Sequence, residues 1–507
     1  MRSRKLIKGS ILNTLNLVAQ ILSGFYLMPL MIHTFGDANF GIWILVASFM
    51  GYAAILDLGL PSAVSRFISQ AIGIGEKEGR DEIKYITSTA FYIFVFIALL
   101  TLPLIFLFIK FAYIFVKVPS QIVLLQKLLM VLCINNLILF PTFVFEGILT
   151  ANLRFDMINS RAIIFTLLRM IFTVLLIRLS YGLIAIAWVT VGCNILETIT
   201  RVSLAYYVDK QISISPANFK ISRIQKLFGY GVYTFVGKVA DILRFQVDSL
   251  VISAFTNVSL VTPFRIAARL IEYFIQFISG LTSVFSPYFS QEEGRKNFQS
   301  IKEKFLFVTK INVFIATFTG LMLILFGENF IYRWVGPNYS ISYVILVILA
   351  IPVTFALVQS AAFPLLYGIS KHKFIAYTNI FEGVMNLVLS IVLVKRFGII
   401  GVAIGSAIPM VITKFFVQPV YVTRILKIPL NIYANAILRP FIQVLFVFLI
   451  PWFVISHFLS PDYKSLMFFG SIQLVIFLVS VISYGFNKTE KSYLKGLLKA
   501  KNVQNFA

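Results

Sequence analysis

Long apolar runs separated by short polar turns follow one another from the first residues of this chain almost to its end. Fourteen can be marked, at about 10–32, 40–70, 85–108, 122–150, 158–178, 183–207, 227–253, 260–289, 305–326, 341–367, 374–394, 399–423, 432–456 and 465–486. A helix that crosses a bilayer needs about 20 mainly apolar residues. None of the runs shows the alternation of a membrane β-barrel, the other structure able to satisfy its backbone inside lipid. The pattern predicts an all-α integral membrane protein of about 14 transmembrane helices. The longest polar stretch between runs, near 208–225, is about 18 residues. No loop can hold a soluble domain, so any activity belongs to the bundle or its mouths.

The second run ends in DLGLPSAVSRFISQ, residues 57–70, and this stretch has a copy. At an offset of 221 residues Gly280, Leu281, Ser283, Ser286, Ser290 and Gln291 fall on Gly59, Leu60, Ser62, Ser65, Ser69 and Gln70. The same ungapped register sets Lys226 on Lys5 and Glu303 on Glu82. At an offset of 216, the segment from Phe397 to Ala403 reads against that from Tyr181 to Ala187. An internal duplication is a signature of transporter folds. With six runs per copy both halves enter the membrane from the same side, so the repeat is parallel. The expected domains are a first lobe at 1–208, a cytoplasmic linker at 209–225, a second lobe at 226–428, and two added spans with a basic tail at 429–507.

Composition agrees: 59% of residues are hydrophobic and 13% charged. The net charge of +24 would suggest nucleic acid, but its distribution argues against that partner. With the N-terminus placed inside, cytoplasmic segments hold 25 Lys and Arg and outer loops hold 7, the positive-inside asymmetry. Both termini are expected in the cytoplasm. Arg2, Arg4, Lys5 and Lys8 read as the flank of a retained first span rather than of a cleaved signal. Cys133 and Cys193 give no disulfide framework. His33, His372 and His457 lie far apart in sequence, and no metal site is expected. The segment around Gly231 superficially resembles a phosphate loop, but its spacing is wrong and Val239 stands where Ser or Thr belongs. No ATPase signature is present.

Charges within spans are costly and by default face a cavity or a partner. Lys238, Asp241, Arg244 and Asp248 fall on one face about 120° wide, and Arg265, Arg269 and Glu272 on a stripe of about 60°. Two readings stay open: a water-filled, cation-lined wall for an anionic group, or internal ion pairs such as Lys238–Asp241 and Arg269–Glu272 that fix packing. Arg265 looks surplus to local pairing. Arg169 and Lys310 have no local carboxylate, and Lys414 has no acid near it in sequence. These make Arg169, Lys238, Arg244, Arg265, Arg269, Lys310 and Lys414 the candidate substrate-binding cations. Asp57, Asp241, Asp248 and Glu272 are candidate coupling or gating acids. Asp57, just before Gly59 and Pro61, also suits a helix break at which it satisfies freed backbone groups. Glu197 and Arg201 read as a structural pair, and Arg161 and Lys127 as snorkelling side chains near span ends.

The segment from Phe35 to Ser69 resembles the first-hairpin region of polysaccharide translocases. These are the O-antigen unit flippases of the multidrug/oligosaccharidyl-lipid/polysaccharide exporter superfamily. Phe35-Gly36, Phe40-Gly41, Trp43, Asp57-Leu58-Gly59-Leu60 and Arg66-Phe67 carry the likeness. The resemblance implies two six-helix lobes in a V around a central cavity. It implies movement of an undecaprenyl-diphosphate-linked oligosaccharide across the bacterial inner membrane, with membrane lipids and other polysaccharide-assembly proteins as partners. No cofactor is expected beyond proton or sodium coupling, and no enzyme activity. A peptidoglycan-precursor flippase and an ion-coupled drug exporter are the alternatives within the superfamily. A membrane glycosyltransferase or polymerase is the alternative class, and it usually wants a large extramembrane loop.

Overall fold

The structure is a computed structural model that describes residues 2–491 apart from 75, 211, 284, 370, 372, 488 and 489. His372 and the basic tail after residue 491 therefore lie outside the described residues. Among the described residues the regular structure is entirely helical. The helices are α1 (Arg2–Ala54), α2 (Leu60–Ile74), α3 (Glu76–Lys110), α4 (Ala112–Phe115), α5 (Pro119–Ala151), α6 (Phe155–Arg178), α7 (Leu183–Val208), α8 (Ile221–Phe245) and α9 (Val247–Phe255). They continue as α10 (Val261–Ser283), α11 (Ser286–Gly294), α12 (Phe298–Val335), α13 (Ser340–Val358), α14 (Ala362–Gly368), α15 (Lys373–Val411), α16 (Gln418–Leu426), α17 (Leu430–Ile455) and α18 (Tyr463–Ser480).

Among the described residues ten helical stretches are long and apolar enough to cross a membrane. Two of them, Ile11–Ile74 and Lys373–Leu426, each contain two of the predicted runs. Their helices α1 and α15 bend at single non-helical residues, Gly36 (φ 75°) and Gly398 (φ 58°). This left-handed geometry strains a residue with a Cβ. The runs predicted at 227–253 and 260–289 are helical, as α8–α9 and α10, but are not among the ten. They are the helices that carry the charged stripes. Pro103 and Pro141 fall inside α3 and α5. Nearby hydroxyls take up carbonyls of the preceding turn: Thr101 donates to Ala98 (2.7 Å) and Thr142 to Leu139 (2.8 Å).

The chain divides into two compact units, Met1–Pro263 with Val394–Gly398, and Phe264–Leu393 with Ile399–Ala507. In the first, α1 packs on α6, α5 on α7 and α3, and α2 in the angle of α3 and α5. α8 lies against α2 and α3, and α9 against α1 and α4. Lipid gives helices little hydrophobic reason to associate, so close fit and small residues do that work. The core of this unit accordingly mixes Leu60, Val64, Ile68 and Phe94 with Ala63, Ala90 and Ala205, all buried. In the second unit α12 is the central post, packed by α13, α17 and α18, while α11 pairs with α14. The outward faces of α17 and α18 are apolar and bare, with Phe453 74% and Met467 73% exposed, as suits lipid contact.

The duplicated stretches do not break at the same place. In the first copy the helix stops at Ala54, passes through a 3-10 turn (Ile55–Asp57), and restarts at Leu60 after Leu58 and Gly59, both at positive φ. In the second, α10 runs on through Gly280 to Ser283 and α11 starts at Ser286. Ile278, the counterpart of Asp57, has no carboxylate to cap freed amides, and the helix there does not open.

Candidate functional site

Asp57 sits at the break between α1 and α2, 5% exposed. Its Oδ1 accepts from the Gly59 amide at 2.9 Å. The carboxylate thus holds a backbone N–H that the break releases, the role its place before Gly59 suggested. Its other oxygen accepts from the Lys238 ammonium on α8. Lys238 therefore pairs across helices with Asp57, not along α8 with Asp241 as its spacing suggested. α8 can come this near because residue 231 is glycine: a Cβ there would stand 2.5 Å from the Leu58 carbonyl oxygen. Gly231 thus serves helix packing, while a Cβ at Gly229 or Gly237 would meet nothing within 4 Å. The charged face read from the sequence is also interrupted. α8 ends at Phe245 and α9 starts at Val247, so Asp248 belongs to a different helix from Lys238, Asp241 and Arg244. Asp241 lies within Coulombic reach of Arg244, and Asp248 is buried.

The densest charge cluster of the first unit lies where α5, α6 and α7 meet. Glu146 accepts from Arg161 Nη2 at 2.8 Å and stands 3.1 Å from Arg201 Nε. Glu197 is 3.4 Å from Arg161 and 3.7 Å from Arg169. Arg169 also donates to Asn194 at 2.6 Å, and Asn194 donates to Asn135 at 2.7 Å. Arg201 donates to Thr142 at 3.0 Å and lies over the Phe143 ring. Arg161 corrects the snorkelling expectation: its side chain is only 5% exposed and points between α5 and α7. Glu197–Arg201 is not an isolated pair either, being the weakest contact of the cluster at 4.0 Å. Three guanidinium groups meet two carboxylates. Arg161 Nη1 and Arg169 Nε have no hydrogen-bond acceptor among the described residues. A cavity of about 440 Å³ between α1, α5 and α6, lined by Asn13, Glu146, Thr150 and Asn159, reaches the cluster at Glu146. The members of this cluster other than Arg169 were not predicted as site residues. Charges of both signs on three successive spans were the only sign of it in the sequence.

In the second unit α10 repeats the motif on a smaller scale. Glu272 takes Arg269 at 2.8 Å on one oxygen and Arg265 at 3.0 Å on the other. Arg265 is thus not without a local acid. Seven residues make about two turns, and the long Arg stem covers that rise. Two guanidiniums again share fewer carboxylates, and Arg269, 36% exposed, is the reachable member as Arg169 is at 37%. Lys310, which lacks an acid nearby in sequence, receives Glu490 at 2.8 Å from 180 positions away. Lys414 is answered by Glu382 on α15 at 2.9 Å, each side chain 3% exposed. Lys414 lies in a π-helical turn, Ile412–Val417. Thr413 donates to the same carboxylate, Gln359 holds the Lys414 carbonyl at 2.6 Å, and the ammonium faces the Phe363 ring.

The candidate cations are therefore not one stripe of free charges. Within the first unit Arg169 and Lys238 belong to separate groupings. Within the second, Arg265 with Arg269, Lys310, and Lys414 form three more. Chemically, a guanidinium shared between carboxylates offers the same fork to an incoming phosphate. Among the described residues no group of three or more His, Cys, Asp or Glu is placed to hold a metal ion, and Cys133 and Cys193 are free thiols.

The chain is similar to several known proteins. It is 25% identical over 425 residues to a putative O-antigen transporter of Shigella flexneri, covering 82% of this chain and 97% of that one. It is 22% identical over 451 residues to the uncharacterized membrane protein EpsK of Bacillus subtilis, covering 85% and 86%. A probable low-salt glycan biosynthesis flippase of Haloferax volcanii, Agl15, is 24% identical over 210 residues, 41% of this chain and 44% of that one. Among solved structures, the Lipid II flippase MurJ in an inward closed conformation superposes with a TM-score of 0.71 at 18% identity, over 97% of this chain and 100% of that one. An inward-facing MATE multidrug transporter of the MOP superfamily gives 0.64 at 16% identity, over 80% and 95%. The MatE family model matches residues 235–392. The model of the polysaccharide biosynthesis protein family matches residues 6–293, more than half of the chain. This multi-pass helical membrane protein therefore belongs to the polysaccharide biosynthesis protein family.

Proposed function

We propose that the protein is a flippase for an undecaprenyl-diphosphate-linked oligosaccharide, an O-antigen or other surface-polysaccharide repeat unit. It moves this lipid from the cytoplasmic to the outer leaflet of the bacterial inner membrane without ATP and without covalent chemistry. Both chain termini are cytoplasmic in this reading. Fourteen spans follow if α8–α9 and α10 cross the bilayer as well as the runs within the ten apolar stretches.

The observation that carries the proposal is the guanidinium surplus in each unit: Arg161, Arg169 and Arg201 against Glu146 and Glu197, and Arg265 and Arg269 against Glu272. A diphosphate leaving the leaflet surface loses much of its water and needs replacement donors at once. Charge-assisted hydrogen bonds supply about 1.5–3 kcal/mol each. The carboxylates keep these donors from holding the diphosphate too long, because each can take its guanidinium back. Proton or sodium coupling would act on the same acids: neutralising Glu146, Glu197 or Glu272 frees a guanidinium for substrate. The Shigella and Haloferax relatives are named for the same kind of activity. A lipid-linked peptidoglycan precursor is the second reading, compatible with the fold shared with the Lipid II flippase.

Reconstitution into vesicles that contain either lipid-linked cargo separates these. Outer-leaflet appearance of the O-unit lipid should depend on the wild-type protein and stop in the Arg265→Ala, Arg269→Ala double variant. Normal transport by the double variant would sink the cation role, and transport of the peptidoglycan precursor alone would select the second reading.

A further inference from the structure

At one end of the second unit the start of α12, the first third of α17 and the segment after α18 enclose a cavity of about 570 Å³. It brings together three cations, Lys304 and Lys310 of α12 and Arg439 of α17, with two acids, Glu303 and Glu490. The acids are already engaged. Glu490 accepts from Lys310 and from the Asn487 amide, both at 2.8 Å, and Glu303 accepts from Gln299 at 2.8 Å. Arg439 is different. It is the one charge on α17, Leu430–Ile455, and it makes no ion pair among the described residues. It is exposed, about 14 Å along the helix from Leu430 by the rise per residue, at a depth where a bare guanidinium is expensive. Beside it the lining is apolar, with Phe307 and Ile432, and the neighbouring α17 side chains Leu438 and Ile442 are bare.

A cavity with a cationic mouth, one net positive charge and an apolar flank fits a lipid whose headgroup carries one phosphodiester. We propose that this cavity is a binding site for an anionic phospholipid, the phosphate held by Arg439 with Lys304, and the acyl chains lying along α17. Lys310 is the reserve donor, because its bond to Glu490 also fixes the chain after α18. The occupant is a structural or regulatory lipid of the surrounding leaflet, distinct from the transported lipid. A polyprenyl diphosphate offers the same phosphate chemistry, and the experiment separates the two.

Native mass spectrometry of the full chain released from nanodiscs of mixed phosphatidylglycerol and phosphatidylcholine counts retained lipid directly. Wild type should retain phosphatidylglycerol in preference to phosphatidylcholine. Arg439→Glu should lower that retention about tenfold or more, since it reverses a charge near the lipid phosphate. Arg439→Lys should keep most of it. Lys304→Gln should lower it less, and raised salt should weaken it in wild type. Because Arg439 is exposed and makes no ion pair among the described residues, its substitution should leave the melting temperature unchanged, which is measured alongside. Equal retention of the two lipids, or the same phosphatidylglycerol retention in Arg439→Glu as in wild type, overturns the site. Displacement of phosphatidylglycerol from wild type by undecaprenyl diphosphate at equimolar amounts also overturns it, because the site would then belong to the transported lipid.

Discussion

Glu382 with Lys414 in the second unit, and Glu146 and Glu197 with three arginines in the first, are both buried charge groupings inside apolar helices, yet they are built differently. The first is one to one, 3% exposed on both sides, with Thr413 on the same carboxylate and Gln359 holding the backbone of the π-turn. The second has three cations to two acids, N–H groups without an acceptor, a half-exposed member in Arg169, and a cavity that reaches Glu146. A one-to-one pair in a dry setting holds helices together, and removing either partner leaves an uncompensated charge. An oversupplied cluster with an accessible edge can exchange a carboxylate for another anion without being taken apart. The Arg265–Arg269–Glu272 group is of the second kind. Its surplus arginine is half exposed too.

Four measurements would break or sharpen that contrast. The largest effect is expected at the dry pair. Lys414→Ala should destabilise the protein by about 3–5 kcal/mol, the usual result of stranding a buried charge, and so deplete it from the membrane. Lys414→Met combined with Glu382→Leu should recover most of the loss. A double variant no better than Lys414→Ala would show that the pair does more than hold helices, and would erase the distinction.

Next comes the inner part of the first cluster. Arg201→Ala leaves Glu146 to Arg161 alone and empties the contact with Thr142 and Phe143. About 2–3 kcal/mol of stability should be lost, between the figures for a charged hydrogen bond and for a broken buried pair. Export should fall with it, and Glu146→Gln in the same chain should restore part of the protein level, because Glu146 is the carboxylate that loses its nearer contact with Arg201. Melting curves in detergent read this; an unchanged melting temperature would mean that Arg201 is not a structural member.

Arg169→Ala should reverse the balance of effects. One charge-assisted bond of about 1.5–3 kcal/mol is lost from substrate binding, so transport should drop about tenfold or more while protein abundance stays within error. Arg169→Lys should recover part of the rate, since charge survives and the fork does not. Parallel loss of abundance and transport would place Arg169 with the structural pairs.

The smallest effect is expected at Lys238. The ammonium is 40% exposed, so its pair with Asp57 is partly screened and worth at most about 1 kcal/mol. Lys238→Gln should barely move the melting temperature. Asp57→Ala removes the backbone acceptor for Gly59 as well, and it should cost more than Lys238→Gln. Equal costs would mean that the ion pair, not the cap on the helix break, is what Asp57 supplies.

Apolar run length and the placement of charges were enough to identify the solvent and the elements. Runs of some twenty apolar residues admit only helices in lipid, and the charges caught inside them marked α8, α10, α15 and the α5–α7 group as the places where something other than lipid contact occurs. The break at Asp57 was also readable, because Leu58-Gly59-Leu60-Pro61 interrupts a helix and a preceding carboxylate caps it. The pairing of those charges came from the packing of the helices. Helical spacing gives the angle at which Lys238 leaves α8, but not which helix stands at that angle, and its acid is 181 residues away. Lys310 finds Glu490 at a separation of 180, and Arg161 finds acids on two other helices. Local periodicity is set by one helix's own backbone, whereas a partner is set by which helices pack together. The step from a charged stripe to a one-to-one pair or an exchangeable cluster therefore lies in the packing and not in the spacing.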